Sequence, residues 1–159
     1  MRRHSNRRDM ALLFLTLSLL VLGVAACGGG NGRLSKPAYQ SHLATISKQA
    51  DAAHGALMGA KTVAAVQAVL RRFAAAESRL GDELSKLKAP ADAEAANADL
   101  ARAEHDDAAE IRATIPNLSR FTTVQQALAF LQRLGPTKGG REQDEALATL
   151  DRLGYLASS

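Results

Sequence analysis

Glu77, Glu104 and Asp107 stand where their neighbours repeat apolar side chains at helical spacing. A carboxylate on the inward face of a helix is costly to bury unless it is paired. Two carboxylates and an imidazole are acceptable ligands for a cation. Without a cation, the same groups can form a polar layer that fixes helix register. If successive helices alternate direction, His42 falls level with Glu77 and Glu104 and supplies the imidazole. These three residues form the candidate polar layer. The alternative for each acid, Asp107 included, is a seam where it meets Arg or Lys of a neighbouring helix.

The remaining reactive residues offer less. Asp51-Ala-Ala-His54 has a spacing that puts two ligands on one helix face, but four-helix di-metal proteins need a Glu-x-x-His pair twice. It occurs here once, with Asp for Glu, and Asp51 points away from the apolar stripe. His105 projects opposite the stripe of its own segment and reads as solvated. No nucleophile elbow, zinc-protease motif or haem-attachment motif occurs. No catalytic residue and no metal site are expected, and an enzyme is not expected.

Cys27 is the only cysteine. Before it, Met10 to Ala26 run for seventeen residues without a charge, behind Arg2, Arg3, Arg7 and Arg8. A spanning helix needs about 20 apolar residues, so the run is marginal as a span and has the layout of an export signal. Val24-Ala25-Ala26-Cys27 resembles the lipobox of bacterial lipoproteins. The resemblance implies a diacylglyceryl group on the Cys27 thiol and cleavage between Ala26 and Cys27. It makes residues 1–26 a signal peptide and leaves no cofactor beyond that covalent lipid. Ordinary cleavage after Ala26, or an uncleaved anchor, are the alternatives. Gly28 to Gly32 follow a signal and not a strand, so they read as a tether, and residues 27–36 form the lipidated, Gly-rich link.

The chain carries 20 basic and 16 acidic side chains, net +4. Without the four Arg and one Asp of residues 1–26 it is close to neutral. Nucleic-acid binding needs a concentrated basic surface, so no nucleic-acid partner is expected. The expected partners are membrane lipid, through Cys27, and an envelope protein.

Residues 37–159 have the size of one domain and favour helix, being rich in Ala, Leu, Arg and Glu. Tyr39, Leu43, Ile46, Ala50, Ala53 and Leu57 make a stripe with steps of four and three. Val63, Val66, Leu70, Phe73, Leu80, Leu84 and Leu87 continue it behind Thr62, a plausible N-cap. A third segment runs from about Ala91 until Pro116 stops it. Thr122 and Gln125 fit a capping box for a short fourth helix. Thr137 to Gly140 read as a loop before a fifth helix from about Arg141 to Leu153, with Gly154 closing it. Leu87-Lys88-Ala89-Pro90 before an acidic, Ala-rich helix resembles small helical lipoproteins of high-GC bacteria.

The expectation is an all-α fold, with an up-down-up antiparallel three-helix core and a C-terminal short helical hairpin. It would serve as a lipid-anchored, non-enzymatic interaction or scaffold module on the extracytoplasmic face of the cell membrane. The alternative is an extracytoplasmic solute- or metal-binding protein that uses the acidic seam.

Overall fold

The computed structural model describes residues 32–156, with backbone alone for residues 46–55 and 58. Five α-helices follow in order: α1 (Lys36–Met58), α2 (Val63–Lys86), α3 (Glu94–Thr114), α4 (Val124–Leu134) and α5 (Lys138–Arg152). A 3-10 segment, Ile115–Arg120, joins α3 to α4. Among the described residues there is no strand, and the protein is all-α.

The helix ends follow local chemistry. Thr62 caps α2 by accepting the Ala65 N–H at 3.0 Å, which satisfies one of the donors a helix start leaves free. α2 stops at Lys86, ahead of Pro90. Its Leu84 carbonyl takes the side-chain amide of buried Asn97 at 2.9 Å. The capping box of α4 is Thr123 with Gln126, one residue later than Thr122 and Gln125. Pro116 ends α3 as expected, but the chain tightens into the 3-10 segment, where a proline near the start costs no internal bond.

α3 lies between α2 on one side and α5 on the other, and α1 packs along α2. Contacts rise along α2 as they fall along α3. Asn97 meets Leu84, Arg112 meets Ala74, and Gln67 meets Ile115. The two helices are therefore antiparallel.

The two short helices part company. α5 runs along α3, whereas α4 joins α2 and the 3-10 segment. Two apolar clusters result. One holds Tyr39, Leu43, Leu80, Leu84, Leu100 and Leu150. The other holds Val66, Leu70, Ile111, Ile115, Leu118 and Ala127. Fully burying one leucine is worth about 1.5–3 kcal/mol, so these side chains supply most of the favourable term. Between the clusters lie Glu77 of α2 and Glu104 and Asp107 of α3.

Small residues set the helix spacing. Gly81 of α2 faces Ala101, where a Cβ would sit 2.9 Å from the Ala101 carbonyl oxygen. Gly139 of α5 is closer still to α3. A Cβ there would overlap the Asp107 backbone nitrogen and lie 2.6 Å from its Cα. Alanine normally beats glycine inside a helix by about 0.8–1 kcal/mol. Backbone in the way reverses that sign, and overpacking costs about 1–3 kcal/mol. Gly139→Ala is therefore expected to lower the thermal midpoint by several degrees. A calorimetric scan showing an unchanged or higher midpoint would refute the close contact.

Candidate functional site

Three carboxyl groups close the space between the apolar clusters. Glu77, Glu104 and Asp107 are 6%, 4% and 6% exposed. Helical spacing explains why α3 contributes two of them: positions three apart share a face. The Gln143 amide of α5 donates to Glu77 Oε2 at 3.0 Å. Glu104 lies beside Glu77 and Gln143 in the same layer. The Thr137 hydroxyl donates to Asp107 Oδ1, while its oxygen accepts the Gly140 N–H at 2.8 Å.

The start of α5 completes the site. Lys138 and Gly139 donate their backbone N–H groups to Glu110, at 2.9 and 3.3 Å. The positive end of the α5 dipole thus rests on the acidic flank of α3, a favourable arrangement. Gly139 permits it, because no side chain separates the two backbones.

These surroundings hold protons on the layer. Burial pushes the Glu104 carboxyl up to about 10, aided by its hydrogen bond to Glu77 and by the charges of Glu77 and Asp107; Gln143 opposes this. Asp107 is also raised, first by burial and further by Glu77 and Glu110, while the Thr137 hydroxyl pulls it down. Burial beside Glu77 therefore favours the protonated form of Glu104. Its Oε2 is sealed in without a partner.

Among the described residues the expected seam of acid–base pairs does not form. The ion pairs among the described residues leave out Glu77, Glu104 and Asp107. The Gln143 amide and the Thr137 hydroxyl stand there instead.

The structure brings Glu77 and Glu104 together but leaves His42 outside. His42 is exposed, because α1 turns Tyr39 and Leu43 inward. A residue one before Leu43 is rotated by about 100° from it. The polar layer is therefore corrected to Glu77, Glu104, Asp107, Gln143 and Thr137. Among the described residues no group of three or more His, Cys, Asp and Glu could hold a metal ion. Ala26 and Cys27 lie outside the described residues, as do the side chains of Asp51 and His54. His105 is half-exposed, with Nε2 3.5 Å from Asp82 Oδ1.

Sequence reasoning missed Gln143, Thr137 and Gly139. One signal was available: a threonine three residues before Gly140 is an N-cap pattern. Placing α5 to start at Lys138, not Arg141, would have brought it against α3.

Comparison with known proteins gives no matching family model, no matching curated protein and no matching solved structure. The site is read from its own geometry.

That geometry has a pH signature. Glu104 rises from 4.5 to about 10 on folding. A raised carboxyl contributes stability that is fully present below the unfolded value and is lost as pH rises toward the folded one. Asp107 acts in the same direction. The melting temperature is expected to fall between pH 5 and pH 9 by amounts that Glu104→Gln largely removes. Glutamine keeps the shape and the donor without the charge. At the alkaline end the variant should be the more stable protein, by roughly 1–3 kcal/mol. Parallel pH profiles for the two proteins would refute the buried neutral acid.

Proposed function

We propose that the chain is a lipid-anchored, non-enzymatic module of a bacterial cell envelope, held at the extracytoplasmic face by Cys27. The observation that carries this reading is Val24-Ala25-Ala26-Cys27 at the end of an apolar run, followed by a glycine-rich link and then a helical domain. Two acyl chains provide stable membrane anchoring where one is marginal.

The start of the domain fits a short tether. The Leu34 N–H donates to the Lys88 carbonyl at 2.8 Å, and Arg33 Nη1 donates to the Ala89 carbonyl at 2.9 Å. Arg33 also pairs with Glu94 at 2.7 Å. The contacts of the described residues with the domain thus begin at Arg33. Gly28 to Gly32 remain between Cys27 and that fastening, and five Gly-rich residues reach about 11–13 Å. The end of the bundle with the α2–α3 turn would then stay near the lipid. The end with the α1–α2 turn and α4 would project outward by the length of α2, about 36 Å at 1.5 Å per residue.

The non-enzymatic part is supported by the seal on the carboxyl layer. Its acids are almost wholly buried, so a substrate has no path to them. A register-setting role suits such a layer. No described helix is long and apolar enough to cross a membrane.

Metabolic labelling with radioactive palmitate tests the anchor. The wild-type chain is expected to incorporate label and to sediment with membranes. Cys27→Ser is expected to lose the label and to accumulate as unprocessed precursor or shed domain. Equal labelling of the two proteins would reject the reading.

A further inference from the structure

The fold sorts charge that the sequence mixes. Around the end formed by the α1–α2 turn, the start of α2, the 3-10 segment and α4 stand Lys61, Arg71, Arg72, Arg112, Arg120 and Arg133. All six are exposed. None takes part in the ion pairs among the described residues. The one acid on α3 near this end, Glu110, spends its oxygens on the N–H groups of α5. A near-neutral domain thus has one strongly basic end. Such a field concentrates anions and speeds their arrival.

A groove of about 450 Å³ opens within this end, between α2 and the junction of α3 with the 3-10 segment. Gln67, Arg71, Arg112, Ile115, Pro116 and Ser119 line it. No acid is among them. Arg112 Nη2 donates to the Ala74 carbonyl at 3.0 Å and to Ser78 Oγ at 2.7 Å. Those bonds hold the guanidinium in place and leave its other N–H groups for a guest. Gln67 Nε2 donates to the Ile115 carbonyl at 3.3 Å and to Ser119 Oγ at 3.1 Å. Ser119 accepts in that bond, so its own proton is free to be donated.

We propose that this groove binds a phosphate group, with Arg71 and Arg112 as the charged clamps and Ser119 as a neutral donor. Guanidinium forks match both carboxylate and phosphate oxygens. A carboxylate has two oxygens, fewer than two forks and a hydroxyl can engage. A phosphate offers more oxygens and more charge. The basic rim beyond the groove suits a ligand carrying several phosphates in a row. The inference is independent of the lipid anchor, since it uses only residues of the folded domain.

Isothermal titration of the full chain in detergent tests it, with linear inorganic polyphosphate, orthophosphate and polyglutamate as probes. Polyphosphate is expected to bind, and more weakly as salt rises. Arg71→Gln is expected to weaken it roughly tenfold or more, the scale of a charge-assisted hydrogen bond. Arg71 is exposed and outside the core, so the variant should keep its circular dichroism spectrum. Arg102→Gln, an exposed position paired with Asp99 at 2.9 Å, should bind as the wild type does. Orthophosphate binding with the same dependence on Arg71 would place the ligand as a small anion. Binding by the polymer alone would place it as a chain of linked phosphates. Absence of heat with both phosphate probes would overturn the proposal. So would polyglutamate binding as tightly as polyphosphate, or equal losses in the Arg71 and Arg102 variants.

Discussion

Burying charge between two apolar clusters is the constraint that the rest of the bundle accommodates. Glu77, Glu104 and Asp107 occupy the waist of the molecule with exposures of 6% or less. An unpaired carboxylate in such a place would cost several kcal/mol. Among the described residues no lysine or arginine pairs with the layer. Burial favours a proton on Glu104, an amide comes from Gln143 and a hydroxyl from Thr137. Both hydrogen-bond donors sit on or beside α5. The layer therefore dictates where α5 must lie.

Glycine at position 139 follows from the same demand. For the N–H groups of Lys138 and Gly139 to reach Glu110, the first turn of α5 must touch the backbone of α3. Only a residue without Cβ allows it. Alanine plays the matching part on α3, where Ala96, Ala101, Ala103 and Ala108 are buried. Alanines bury little area each, but they let α2 and α5 approach closely enough for short polar bonds to form. The weak apolar stripe of α3 is thus the condition for its central place and not a defect in its packing.

How much of this was legible depends on which force set each feature. The α2 stripe from Val63 to Leu84 and its Thr62 cap are local, and both could be read directly. The meeting of Glu77 with Glu104 follows from counting along antiparallel helices, so it too was within reach. His42 was not, because the rotation of α1 is decided by Tyr39 reaching Asn97 at 3.0 Å, a contact across 58 positions. The start of α5 was read three residues late since Lys138-Gly139-Gly140 has loop composition. Its helical state comes from docking on α3, a tertiary override of propensity. The expected pairing of α4 with α5 failed for a related reason: a short link allows two helices to be neighbours, but the acids of α3 attract one of them and the apolar face of α2 takes the other.

Net charge conceals the surface for a comparable reason. Composition sums the whole domain, whereas a partner meets one end of it. Glu104, Asp107 and Glu110 of α3 lie at the waist, where burial and α5 absorb them. The arginines at positions 71, 72, 112, 120 and 133 are left at the far end without counterions among the described residues. Arg120 is held there by the Phe121 and Phe130 rings, 5.0 and 4.6 Å from its guanidinium carbon. Cation–π contacts of this kind orient a guanidinium without neutralising it. The polar layer and the basic end are therefore two results of one sorting of charge: acids that can be protonated or capped are taken inward, and cations that cannot lose their charge stay outside.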